Sequence, residues 1–188
     1  VMSDNHQDIL QSIGSGDKYG FSYPDDSIFT SRKGLDEEVV RQISAYKEEP
    51  AWMLEFRLNA FRHFSKRAIP TWGADLSGLN LENIIYYARP KQIDQKSWED
   101  VPENIKETFD RLGLPEAEQK YLAGVGAQYD SEMVYHNIQE NLERQGVIFL
   151  SIENGLKQYP ELFREHFASV VPYADNTFAA LNSAVWSG

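Results

Sequence analysis

The stretch KEEPAWMLEFRLNAFRHF at residues 47–64 decides how this chain is read, because it crowds aromatic and aliphatic side chains into a run that also carries charge. Trp52 and Phe56 lie four residues apart. Met53, Arg57, Ala60 and Phe64 recur at steps of three and four, as do Leu54, Leu58 and Phe61. On a helix these rows wrap well over half the circumference and leave Glu55, Asn59 and Arg62 as the polar remainder, a wider surface than the single stripe of an ordinary surface helix. The pattern predicts a helix from about Ala51 to Lys66 that is covered on two sides. It is either the central helix of a small helical core or a helix that docks a partner.

Upstream of it a first helix is well signalled. Asp36 can cap it, Leu35 and Val40 can staple the cap, Glu37 and Glu38 favour its positive end, and Pro50 is expected to stop it. Its buried face reads Val39, Val40, Ile43 and Tyr46. Residues 1–34, rich in Gly, Ser and Asp with an aromatic patch at Tyr19, Phe21 and Tyr23, read as an extended, partly mobile arm. Downstream, IIYYA at 84–88 suits a short strand cut off by Pro90. A helix is expected over 101–112, ended by Gly113, and another from Pro115 in LPEAEQKYLAGV. A further helix, capped by Asp130 or Ser131, is expected to run through MVYHNIQENLERQ to Gly146. VIFLS at 147–151 reads as the clearest strand, followed by a helical turn around IENGLKQY, a helix begun by Pro160, and the apolar piece FAALNSAV at 178–185. The organisation is therefore an arm at 1–34, a helical region at 35–146, and a strand with helices at 147–188.

The 188 residues suffice for one domain with a real core. With 18 basic against 29 acidic residues the net charge is −11, which opposes attraction to nucleic-acid phosphates or anionic lipid. There is no cysteine, so disulfides, thiolate metal sites and a cysteine nucleophile are absent from this stretch. No run of about eighteen apolar residues occurs, and the N-terminal residues lack the pattern of a signal peptide. The expected location is the cytoplasm.

No constellation of residues announces chemistry. His6, His63, His136 and His166 have no second ligand at a metal-binding spacing, and His166 is better read as a histidine near a helix C-terminus. GSGDKYG at 14–20 and AGVGAQ at 123–128 lack the lysine of a phosphate loop and follow no predicted strand. Ser22, Ser131, Ser151 and Ser183 lack a nucleophile-elbow context, and Glu48–Glu49 and Glu99–Asp100 read as solvated carboxylates. No catalytic, cofactor-binding or metal-binding residue is assigned.

Four blocks taken together say more: EPAWMLEFRLNAFRHF, LAGVGAQYDSEMVYHNI, QGVIFLS and YPELFREHFASVVPYADNTFAALNSAVWSG. In this order they closely resemble the N-terminal portion of SufB, the iron-sulfur cluster assembly scaffold of the SUF system, over roughly residues 17–188. YDSEMVYHNI followed by QGVIFLS favours SufB over its paralogue SufD. The resemblance implies a non-enzymatic scaffold that pairs with SufD and the SufC ATPase. It receives sulfur from a cysteine desulfurase through a sulfur carrier, and builds an iron-sulfur cluster for apo-proteins. It implies an α+β fold: a predominantly helical N-terminal region with a few short strands, leading into the start of a right-handed parallel β-helix that this chain would truncate. The family's sulfur-accepting and cluster-ligating cysteines fall outside the matching portion, so no cluster is expected on this stretch. Trp52, Met53, Leu54, Glu55, Phe56, Arg57 and Asn182 carry over as motif positions with packing roles. Two other readings stand beside this one. One is a free-standing acidic module whose aromatic helix binds another protein's groove. The other is a small-molecule enzyme with a pocket built from His63, Glu55 and Arg57.

Overall fold

The computed structural model describes residues 27–91, 100–111, 124–129, 131–138 and 140–187. Among these, short strands β1 (Phe29–Thr30) and β2 (Ala88–Arg89) form one antiparallel pair, and β3 (Gly124–Tyr129) and β4 (Glu132–Ile138) another. The helices are α1 (Glu37–Tyr46), α2 (Ala51–Lys66), α3 (Glu103–Arg111), α4 (Glu140–Glu143), α5 (Ile152–Gln158), α6 (Pro160–His166) and α7 (Thr177–Val185). The architecture is α+β, mainly helical with a few short strands. Residues 1–26 of the arm expected at 1–34, and residues 112–123, which hold most of the helix expected from Pro115, lie outside the described residues.

Helix α2 spans the predicted residues and is covered on two sides. One side packs Leu58 and Ala60 on Val40 of α1 and Ala184 of α7, with Leu35, Leu54, Phe61, Tyr173 and Val185 around them. The other packs Met53 on Leu156 of α5 and on Trp186, walled by Trp52, Phe56, Ile152, Phe163 and Phe167. Glu55 and Arg62 remain exposed, as the pattern requires. A third cluster, Val39, Ile43 and Tyr87, joins α1 to the β1–β2 pair. Burying side chains of this size contributes about 1.5–3 kcal/mol each.

The first helix starts as expected, with the Asp36 carboxylate accepting from the Val39 N–H at 3.0 Å and Leu35 packed near Val40. It ends earlier than expected. Glu48 takes a left-handed conformation (φ 52°), the Glu48 N–H donates to Ala45 O, and the Glu49 N–H donates to Ser44 O. This 5→2 and 6→1 pattern closes the helix at Tyr46 before Pro50 is reached. Tyr46, expected inside, is 40% exposed and stacks on Phe29 at 4.1 Å between centroids. Ser44 is buried in its stead.

Two further expectations fail. Residues 132–138 form a strand of the β3–β4 hairpin, not the start of a helix running to Gly146. Among the described residues of that span, only Glu140–Glu143 is α-helical. Glu132 and Val134, two residues apart, are both buried, which is strand periodicity. The glycines of AGVGAQ belong to β3: a Cβ on Gly126 would meet Met133 Sδ at 3.2 Å. The hairpin tip is fixed to β2, because the Ser131 N–H donates to Ala88 O and the Ala88 N–H donates to Ser131 Oγ, each at 3.0 Å.

VIFLS at 147–151 is not a strand. Among the described residues nothing pairs with it, and Val147, Ile148 and Phe149 are 46, 46 and 36% exposed. Its β-branched composition signalled a strand, but a strand requires a partner. In IIYYA the strand proper begins only at Ala88, with a single bridge between Ile85 and Lys33 before it. Its partner, Phe29–Thr30, lies in what reads from sequence as the arm. No parallel strand pair occurs among the described residues, so the start of a β-helix is not seen. No helix among them is long and apolar enough to cross a membrane.

Asp36→Ala is expected to cost about 1 kcal/mol at neutral pH, the usual worth of such a cap. The Val39 N–H bond first, and Arg32 after it, hold the Asp36 carboxyl below its ordinary value against the opposing effect of burial. The unfolded chain therefore takes up that proton more readily. The stabilisation is present above the ordinary carboxylate range and is lost as pH falls through the lowered native value. Urea unfolding of wild type and Asp36→Ala should show a gap that narrows on acidification, and a gap independent of pH would contradict this account.

A candidate site of two buried ionic locks

The most heavily bonded side chain of the described residues is Arg57. It lies on the Met53, Ala60, Phe64 row of α2, is 0% exposed, and donates from all three guanidinium nitrogens. Nε donates to Glu49 Oε2 at 2.8 Å and Nη2 to Glu49 Oε1 at 2.6 Å, a bidentate fork. Nη1 donates to the carbonyl of Ala184 at 3.0 Å and Nη2 to that of Trp186 at 2.9 Å, at the end of α7. The Trp186 ring covers it, with Cζ 4.3 Å from the centroid. Helix ends leave carbonyls without intrahelical donors, and Arg57 supplies them from another helix. Glu49, read from sequence as one of two solvated carboxylates, has a side chain 1% exposed.

The second lock centres on Lys47, the C-cap residue of α1. Its buried Nζ donates to Glu132 of β4 at 3.2 Å and also to Glu153 of α5. The Tyr87 hydroxyl donates to the same Glu132, and Lys47 stands over the Tyr87 ring at 5.6 Å. Burial first, then the hydrogen bond and the charge of Glu132, push the Tyr87 phenol far above its ordinary value. It stays protonated and acts as a donor. Helix α1, strand β2, the hairpin and α5 thus meet at one charged cluster.

Chemically, both clusters consume their own groups. The fork of Glu49 is filled by Arg57, and Glu132 is held by an ammonium and a phenol. Glu55 is exposed, Arg57 is buried and His63 lies nearly two turns beyond Arg57, against Tyr173, so the structure does not bring these three together as a pocket. His166 ends α6, as expected; His136 is in β4 with its backbone opposite Gly126; His6 lies outside the described residues. Among the described residues no group of three or more His, Asp or Glu is placed to hold a metal ion. Of the motif positions, Trp52, Met53, Leu54, Phe56 and Arg57 are packed, whereas Glu55 and Asn182 are exposed and carry no packing role. The locks escaped sequence reading because Arg57 and Glu49 are eight residues apart and Lys47 and Glu132 eighty-five. The presence of Arg57 inside an apolar row was the one local signal.

Two concave surfaces accompany the locks. An apolar groove of about 500 Å³ runs between residues 148–152 and α5–α6, lined by Ile148, Leu150, Ile152, Tyr159, Leu162 and Phe163 among others. A polar cleft of about 400 Å³ lies at the C-terminal end of α2.

Comparison with known proteins places the sequence. It is 61% identical over 171 residues to an iron-sulfur cluster assembly SufBD family protein of Staphylococcus haemolyticus and 57% identical to the iron-sulfur cluster assembly protein SufB of Bacillus subtilis. A SufBD family protein of Staphylococcus aureus is 58% identical over the same length. Over these 171 residues the chain is similar to proteins named as SufBD family members. These residues make up 91% of this chain but only 37% of each of those relatives, so the chain matches the family over a little more than a third of its relatives' length. No protein-family model matches the chain.

Removing one partner of a buried pair leaves an uncompensated charge, so Glu49→Gln is expected to cost about 3–5 kcal/mol. Arg57→Lys should fall in the same range, because an ammonium cannot fill the fork and reach two carbonyls at once. Denaturant unfolding checks both. A loss below about 1 kcal/mol for either, the level of an exposed pair, would show that the lock does not hold the ends of α1 and α7.

Proposed function

We propose that this chain is the N-terminal part of a SufB-type scaffold subunit, which assembles iron-sulfur clusters and passes them to apo-proteins. In this reading it works in the cytoplasm with SufD and the SufC ATPase, and receives sulfur from a cysteine desulfurase through its carrier. The observation that carries the reading is the 57–61% identity, over 91% of the chain, to relatives named for iron-sulfur cluster assembly. The cluster is cargo, and a chain stretch without cysteine offers it no thiolate. The task of these residues is then structural. They form a helical block whose segments are fixed to one another by the Arg57 and Lys47 locks and which holds the remainder of the scaffold in place.

The alternative of a free-standing module that docks through Trp52 and Phe56 has less support. Trp52 is packed near Phe163 at 6.4 Å and under Arg164 at 5.5 Å, and Phe56 meets Phe167 and Tyr173 edge-on at 5.0 and 5.2 Å. Those rings are already engaged.

The test is co-expression of the complete reading frame with SufC-type and SufD-type partners from the same source. A stable complex is expected, and anaerobic incubation with iron, cysteine and a desulfurase should give the visible absorption of a cluster that moves to an apo-ferredoxin. Purification of the protein without either partner, and with no chromophore formed, would refute the proposal.

A further inference from the structure

The cleft at the end of α2 carries positive charge on a chain whose net charge is −11. It is lined by Asn59, Arg62, His63, Lys66, Arg67 and Tyr173. The simplest account of such a cluster is that cations favour a helix C-terminus. The hydrogen bonds here go further. The Phe64 carbonyl already accepts from the Arg67 N–H at 3.2 Å and the Arg62 carbonyl from Ser65 Oγ at 3.3 Å, so two of the carbonyls at the helix end have donors. The Arg67 guanidinium holds the carbonyls of Ala174 and Asp175 at 2.6 and 3.0 Å, which fixes it without neutralising its charge.

Two acidic side chains stand near these cations. Glu37 reaches Arg62 at 3.4 Å in an exposed pair, and the Asp175 carboxylate accepts from Asn176. Lys66 Nζ, the His63 ring nitrogens and the Tyr173 hydroxyl have no hydrogen bond among the described residues. The far wall is rigid, because Tyr173 is held between His63 at 5.1 Å and Phe56 at 5.2 Å between ring centroids. The cleft therefore presents three permanent cations and two further donors around a cavity of about 400 Å³, with one carboxylate paired to them.

We propose that this cleft binds a phosphate-bearing anion. Lys66 provides movable charge, Arg62 a charge that also reaches Glu37 and donates to Asn59 Oδ1 at 3.0 Å, Arg67 a fixed one, and His63 and Tyr173 donate from the wall. A group with several charged oxygens satisfies such a set better than a single carboxylate does. The ligand chemistry has two sources, a soluble phosphate compound or the headgroup of an anionic lipid, and the net charge of the protein favours the soluble one.

The experiment titrates the intact chain at low salt with inorganic pyrophosphate, followed by NMR of the histidine rings. His63 is expected to shift and His166, in the other groove, to stay still. Lys66→Glu should weaken binding by about tenfold or more, as removal and reversal of a charge-assisted contact requires. Its melting temperature should fall by only about 1–4 °C, the cost of a reversed charge in the last turn of α2. Arg62→Gln provides a second variant with a smaller loss. Cosedimentation with phosphatidylglycerol vesicles, abolished by Lys66→Glu, would assign the phosphate to a lipid headgroup. Response to pyrophosphate without vesicle binding assigns it to a soluble compound. No shift at His63 up to about 10 mM pyrophosphate, beyond the range of any specific site, would overturn the proposal. So would equal affinity in Lys66→Glu, or binding of citrate as tight as that of pyrophosphate.

Discussion

The fold depends on one guanidinium. Arg57 sits where a regular helix would place an apolar residue, and it is tolerable there because all three of its nitrogens donate: the fork to Glu49, the other edge to the Ala184 and Trp186 carbonyls. An ion taken out of water costs several kcal/mol unless partners of good geometry surround it. The requirement works in reverse as a constraint on the chain. Glu49 must return to α2 immediately after α1, so α1 must end early, and the left-handed Glu48 produces that end. The last turn of α7 must also arrive at the same place, which draws residues 184–186 across α2 and seats Trp186 in the Met53–Leu156 cluster.

The Lys47 cluster applies the same logic to the β segments. A two-stranded hairpin is marginal in water on its own and needs something to pack on. Here β4 offers Glu132 to a buried ammonium and to the Tyr87 phenol, while the tip is tied to β2 through Ser131. Polar contacts of this kind are directional, so they fix where the hairpin sits more sharply than apolar contact would. Because Lys47 and Glu49 are separated by one residue, both locks are set by the same C-terminal turn of α1.

How much of this was legible in the sequence follows from the range of each interaction. Helix α2 was legible to its ends, since its apolar rows repeat within four residues and Pro50 precedes its first turn. The Asp36 cap and the Pro160 start were legible for the same reason. The hairpin was missed because MVYHNI has both helical and strand propensity, and the buried alternation of Glu132 and Val134 depends on a lysine at position 47. VIFLS was misread in the opposite direction: composition favoured a strand, and pairing, which composition does not supply, decided against it. The carboxylate of Glu49 looked solvated because its neighbours in sequence are Glu48 and Pro50, whereas its neighbour in space is Arg57.

The same reasoning explains why a helical block without obvious catalytic residues among its described residues can yet hold charged groups in its interior. Replacing a buried ion pair by well-packed apolar side chains is often neutral or stabilising, so stability alone does not account for Arg57 or Lys47. What such pairs add is a penalty on every wrong arrangement. If α7 slides by one turn on α2, the apolar contacts can be remade with other small residues of FAALNSAV, but the guanidinium loses the Ala184 and Trp186 carbonyls that it holds at the end of α7. If the hairpin shifts register by one residue, Glu132 turns away and leaves an ammonium buried beside Glu153 alone. The α7 face of this helix–helix contact is built from small side chains, Thr177, Ala180, Ser183 and Ala184, and the Arg57 guanidinium adds directional bonds to it.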